Sequence, residues 1–381
     1  MKRSQATLSR ILVLVVLALL DATQAFGHGI DHQTIEKEWK QRELSVRAFE
    51  FEWTSTVTYS TDKLNAILKR LGRNNSIKAP QVSYEMTCSL WGVGSRLKYT
   101  FSGTPPSLSK SGEIVFNRVT STSVFNGTVW SRVESPVEAR PYPQAETKPA
   151  TSSPDERNET LKPLFWWYRP LDAHHLGGNL EEFTIQPGTS NVGDRPCIRL
   201  VREAGKGSAF RQEIWIDPER GFNILKYVST DMRRNAPSFQ VEVTLSADDE
   251  TGWVPAGWTT LIGSTEKGRI VDTSRVMNYS INPAISDEEF GIEMPIGAVV
   301  TDYSQGEKVS VLRRDGTLRP VSVEERTSGR SYDDILNTEP PHQRTLWRPL
   351  LILNVIVVVG LLMFYLLRRR KAHQNNVARD G

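Results

Sequence analysis

The chain has 381 residues, 38% of them hydrophobic and 24% charged, with 47 Lys and Arg against 44 Asp and Glu, a net charge of +3. Nine of those cations but only two of the acids lie outside residues 26–347, so that long stretch holds 38 cations and 42 anions and is net −4. The basic excess belongs to the two ends, which removes the electrostatic case for a nucleic-acid partner.

Residues 1–25 have the three parts of a secretory signal: Lys2, Arg3 and Arg10, then ten unbroken apolar residues at 11–20, then a small-residue exit at Thr23-Gln24-Ala25. Ten apolar residues are too few to cross a bilayer, which takes about 20. Residues 34–47 read as a helix carrying Ile35, Trp39, Leu44 and Val46. Strict alternation follows, with Phe49, Phe51, Trp53, Ser55, Val57 and Tyr59 on one face and Glu50, Glu52, Thr54 and Thr56 on the other. This period of two predicts a half-buried strand. Leu64, Ile67, Leu68 and Leu71 then form the apolar stripe of a short helix ended by Gly72.

Up to residue 281 the pattern is mainly β. The expected strands are 82–90, 95–102, 113–118, 122–130, 181–186, 195–203, 209–217, 222–231, 238–246, 252–263 and 268–281. Several connections carry hairpin chemistry, such as Asp217-Pro218-Glu219-Arg220-Gly221, where Pro fixes one dihedral and Gly can take positive φ. Consecutive hairpins imply an antiparallel meander. No strand–helix–strand alternation supports a doubly wound nucleotide fold.

Residues 134–163 are rich in Pro, Glu, Ser and Thr and predict a long polar, disordered insertion. It ends in the aromatic cluster Leu164-Phe165-Trp166-Trp167-Tyr168, readable as a core plug or as a lid over a ligand. Ser286-Asp287-Glu288-Glu289-Phe290 reads as a capping box opening one helical turn. The expected outer domain runs over 26–302. Residues 303–348 read as a tether with one further strand at 308–312.

Residues 350–367 are interrupted only by Asn354, Gly360 and Tyr365 and would span about 27 Å as a helix. Arg368-Arg369-Arg370-Lys371 follows, and such a cluster stays cytoplasmic. The expected topology is a transmembrane helix over 349–367, a cytoplasmic tail over 368–381 and a large extracytoplasmic domain.

Cys88 and Cys197 could join as one disulfide in an oxidising compartment, and two separately buried thiols fit equally. No phosphate loop, nucleophile elbow or zinc-binding spacing occurs. His174-His175 diverge on an extended segment and make a poor metal pair. Four Asn-x-Ser/Thr triplets, at Asn74, Asn126, Asn158 and Asn278, read as chance in a chain of bacterial character. No catalytic residue, metal ligand or cofactor is expected. Ten Trp, ten Tyr and thirteen Phe, many at alternating strand positions, predict a curved sheet around either a packed core or an apolar cavity.

The meander entered through a helix and an aromatic strand is similar to the periplasmic outer-membrane lipoprotein carrier (LolA/LolB-like) superfamily. The stretch Arg211-Gln212-Glu213-Ile214-Trp215-Ile216-Asp217-Pro218-Glu219-Arg220-Gly221-Phe222 resembles its strand–Asp-Pro–Gly–strand hairpin, and Gly252-Trp253-Val254-Pro255 resembles the strand that restarts with Pro. The segment from Asn282-Pro283 to Thr301-Asp302 resembles the end of the domain in large exported relatives. The resemblance implies an α+β fold: a strongly curved antiparallel sheet, a half-barrel, with a few short helices. It also implies that the concave face shelters a lipid, an acyl chain or a lipoprotein without catalysis, and that relatives of this fold sense envelope stress. The expected ligand wall is Phe49, Phe51 and Trp53, with Trp215 as a neighbour. The alternative is an envelope sensor or structural interaction protein with a filled core.

Overall fold

The computed structural model describes residues 30–70, 81–108, 114–137, 142–151, 153–205, 209–263, 268–304, 306–327, 332–337, 357–359 and 361–364. The expected signal segment and most of the expected transmembrane helix lie outside these residues. Residues 357–359 and 361–364 are helical with exposed side chains. Among the described residues no helix is long and apolar enough to cross a membrane. The chain divides into two compact units, residues 1–318 and 319–381.

In the first unit, helix α1 (His32–Ser45) is capped by the Asp31 carboxylate, which accepts from Thr34 N at 2.8 Å. Strand β1 (Ala48–Ser60) follows, then helix α2 (Thr61–Arg70), β2 (Gln81–Val93) and β3 (Arg96–Gly103). The short pair β4 (Pro106–Leu108) and β5 (Ile114–Phe116) forms a sheet of its own. Next come β6 (Val119–Phe125), β7 (Val129–Glu134), β8 (Gln144–Pro149), helix α3 (Lys162–Tyr168) and helix α4 (Ala173–Leu176). The second run holds β9 (Thr184–Ile185), β10 (Ser190–Val192), β11 (Arg195–Arg202), β12 (Phe210–Asp217), β13 (Asn223–Asp231), β14 (Ala236–Asp248), β15 (Gly252–Ile262) and β16 (Ile270–Ile281). Strands β17 (Val299–Asp302) and β18 (Lys308–Leu312) close the unit.

Pairing is almost wholly antiparallel. β1 lies between β2 and β16, and from it one wing runs β2–β3–β6–β7–β8. The other wing runs β16–β15–β14–β13–β12–β11. These are the consecutive hairpins that the sequence implies. Gly221 takes φ 62° at the expected Asp-Pro turn, a left-handed conformation that favours glycine. Register shifts in β1–β16, β12–β13, β13–β14 and β14–β15 bend the sheet. The coarse expectation of a curved, mostly antiparallel sheet with a few short helices is what the chain forms.

Three local expectations are corrected. The described part of 134–163 is structured: β8 pairs with β7 on one side and, in parallel, with β17 on the other. Ala145 is buried there with Ala298 and Val300, so this polar-looking strand has an apolar contact that composition averaged away. Second, β18 pairs with β17, so the first unit continues well past residue 302. Third, the segment expected to be mainly tether holds two short helices, α5 (Val323–Thr327) and α6 (Tyr332–Asn337), in the second unit. In that unit Arg319 and Glu325, exposed by only 1% and 3%, pair at 2.6 Å. Ser286–Phe290 forms a 3-10 turn over Asp287–Phe290 without a side-chain cap bond, and Cys88 and Cys197 are both buried free thiols.

Candidate functional site: one face, two ends

The odd-numbered side chains of β1 set the concave face, and antiparallel register extends it sideways. Phe51 stands opposite Leu90 on β2 and Tyr279 on β16, and Val57 stands opposite Tyr84 and Asp272. Beyond β2, Leu90 meets Tyr99, Cys88 meets Phe101, and these meet Ser123 and Ser121 on β6. One face therefore carries a continuous aromatic and aliphatic belt.

At one end the belt is closed. Helix α3 lies on it with Pro163 through Tyr168 all buried, so the aromatic cluster is a core plug. Phe49 packs on Tyr168 at 4.5 Å between ring centroids, and Phe51 packs edge-on against Trp167 at 5.4 Å. Trp53 sits against Trp258 at 5.6 Å and Tyr99 at 6.2 Å. Phe49 and Phe51 are 0% exposed and Trp53 is 2% exposed. The plug is pinned by hydrogen bonds: Trp167 Nε1 donates to Trp253 O at 2.8 Å, Trp166 Nε1 to His175 O at 2.8 Å, and Tyr168 Oη to Gly94 O at 3.2 Å. Trp39 of α1 donates to Phe222 O at 2.8 Å beside it.

His175 stacks on Phe165 at 4.7 Å, and its Nε2 is buried without a partner. Burial holds this imidazole below its ordinary value. His174, its neighbour, is exposed, so the two rings sit in different environments.

At the other end the belt is open. A cavity of about 320 Å³ lies between β1, β2, β3, β6, β15 and β16, walled by Tyr59, Tyr84, Met86, Phe101, Ile262 and Ile270. Tyr59 and Tyr84 stack across β1 and β2 at 6.2 Å. Polar groups line the same space. Asp272, only 2% exposed, accepts from the Ser55 hydroxyl and from Ser274 Oγ at 3.3 Å. Burial pushes its carboxyl above the usual carboxylate range. Asp155 accepts from Ser123 Oγ at 2.6 Å, Ser153 Oγ at 3.2 Å and Trp130 Nε1 at 3.3 Å. Arg132 donates to Ser121 Oγ at 2.9 Å and pairs with Glu134 at 2.5 Å.

Of the four side chains expected at a ligand wall, Phe49, Phe51 and Trp53 come together, at the closed end. Trp215 does not join them. Its flanking Ile214 and Ile216 are fully buried in the core, so alternation turns Trp215 to the opposite face, under Arg199 at 5.5 Å and Lys226 at 5.7 Å. The open cavity was missed in the sequence. Tyr59 continues the β1 alternation and signals it, but Asp272 and Asp155 reach it only through register and the turn at 154–157.

No family model and no curated protein matches the chain. Among solved structures it is similar to a DUF1329 family protein from Desulfovibrio piger, at 10% identity over 68% of this chain and 96% of that one, TM-score 0.39. It is similar to the LolA superfamily protein NE2245 from Nitrosomonas europaea, at 8% identity over 69% and 99%, TM-score 0.33. It is also similar to a β-barrel-like protein of the DUF1849 type from Brucella abortus, at 11% identity over 63% and 99%, TM-score 0.27. The curved sheet itself stands on the strand pairings described above.

Proposed function

We propose that the chain is a non-enzymatic extracytoplasmic binding module, tethered to the membrane by residues 349–367, that holds a lipid, an acyl chain or a lipid-bearing protein on its concave face. The observation that carries this reading is the open cavity walled by Tyr59, Tyr84, Met86, Phe101, Ile262 and Ile270. Ligand pockets run from about 300 to 1,000 Å³, are mostly apolar, and carry a few placed polar groups. At about 320 Å³ the cavity accommodates one short chain or the end of a longer one. Phe49 and Phe51 become ligand contacts only when α3 moves aside, because Tyr168 and Trp167 of α3 pack on them.

The closed end favours a second reading. A core that fully buries Phe49, Phe51 and Trp167 suits a sensor or interaction protein that needs no ligand. Mass spectrometry of organic extracts from the purified protein separates the two. A stoichiometric lipid, reduced by Phe101→Arg, supports binding, since an unpaired charge on an apolar wall is costly. Protein that carries no lipid and takes up no acyl probe supports the filled-core reading instead.

A further inference from the structure

The open cavity is unlike a plain hydrocarbon slot, because its buried charge is acidic. Asp272 takes only hydroxyl hydrogen bonds, from Ser55 and Ser274, and forms no ion pair among the described residues. Asp155 lines the same space and, among the described residues, takes uncharged donors. Among the described residues the one lining cation, Arg132, pairs with Glu134 at 2.5 Å. Around these acids stand the rings of Tyr59, Tyr84, Tyr99 and Phe101, whose faces attract cations.

A free carboxylic acid or phosphate group placed here would meet two carboxylates and, among the described residues, no unpaired cation. An ammonium group would meet the Asp272 carboxylate and aromatic faces. We infer that the cavity selects an amphiphile whose apolar body carries a primary amine, with Asp272 as the counter-charge. This rests on the proposed binding role and adds the chemical class of the ligand.

The test uses full-length protein in lipid nanodiscs, titrated calorimetrically with octylamine, octanol and octanoate against empty nanodiscs. Octylamine is expected to bind at least about tenfold more tightly than octanol, with octanoate weakest; a factor of ten is about 1.4 kcal/mol. Asp272→Asn, nearly isosteric, should bring octylamine to within about twofold of octanol. Asp155→Asn should leave most of the preference, because that carboxylate already takes three donors. Octanoate binding as tightly as octylamine, or an amine preference that survives Asp272→Asn, overturns the inference while the binding role stands. If none of the three probes binds, the binding role itself fails and the inference with it. The wild-type comparison decides even where a variant does not fold.

Discussion

Replacing Phe51 by alanine distinguishes the closed end of the concave face from the open end. The ring is 0% exposed and touches Phe49 at 5.9 Å, Trp167 at 5.4 Å and Tyr279 at 5.9 Å between centroids. Truncating a buried Phe costs about 3–5 kcal/mol, more where the surroundings cannot collapse into the space. Collapse is restricted here, because Trp167 is held by its bond to Trp253 O, Tyr168 by its bond to Gly94 O, and Phe49 by the backbone of Gly92 beneath it. A loss near 4 kcal/mol is therefore expected. For a domain of this size each kcal/mol moves the melting temperature by roughly 2–4 °C, so Phe51→Ala should melt roughly 8–16 °C below wild type. Phe101→Ala, on the partly exposed wall of the cavity, should cost about 1 kcal/mol, since much less of its ring leaves water on folding. Thermal unfolding followed by near-ultraviolet circular dichroism reports both. If the two variants melt within about 2 °C of each other, the division into a packed end and an open end is wrong.

Gly92→Ala should destabilise by about 1–3 kcal/mol through overpacking, because its new Cβ would lie 2.6 Å from Phe49 Cζ and 3.2 Å from Leu97 Cδ2; urea unfolding checks this, and a neutral result would mean the Phe49 ring is free to move. His175 gives a pH signature. Its folded value lies below the ordinary 6.5, so the unfolded chain binds the extra proton first and stability is lost as pH falls below about 6.5. His175→Gln should flatten that part of the stability-against-pH curve, and an unchanged slope would exclude His175 as its source. Cys88, pushed up to about 12 by burial, and Cys197, pushed up to about 11, should resist a thiol-specific reagent until denaturant is added. Rapid labelling of the native protein, or recovery of a disulfide from it, would contradict their placement.

Most of the strands were legible because each of these carries its own signal. Alternation from Phe49 to Tyr59 fixes the faces of β1 by local geometry, and the Asp217–Gly221 turn announces the β12–β13 hairpin by dihedral preference alone. The same alternation already separates Trp215 from Ile214 and Ile216, although which of the two faces is concave depends on the whole sheet. Helix α3 was visible only as an aromatic cluster without an assigned structure, because six consecutive buried residues have neither period.

What the sequence by itself determined is therefore most of the strands, their antiparallel succession through hairpins and the aromatic face of β1. Tertiary structure decided three things that depend on residues far apart in the chain. It paired β1 with β16, which puts Asp272 opposite Val57. It laid β8 beside β17 in parallel, turning a polar stretch into a strand with a buried alanine. It set α3 over Phe49 and Phe51, leaving Tyr59, Tyr84 and Phe101 to line the open space. Whether an aromatic face becomes a core or a cavity depends on what lands on it, and no residue within β1 encodes that.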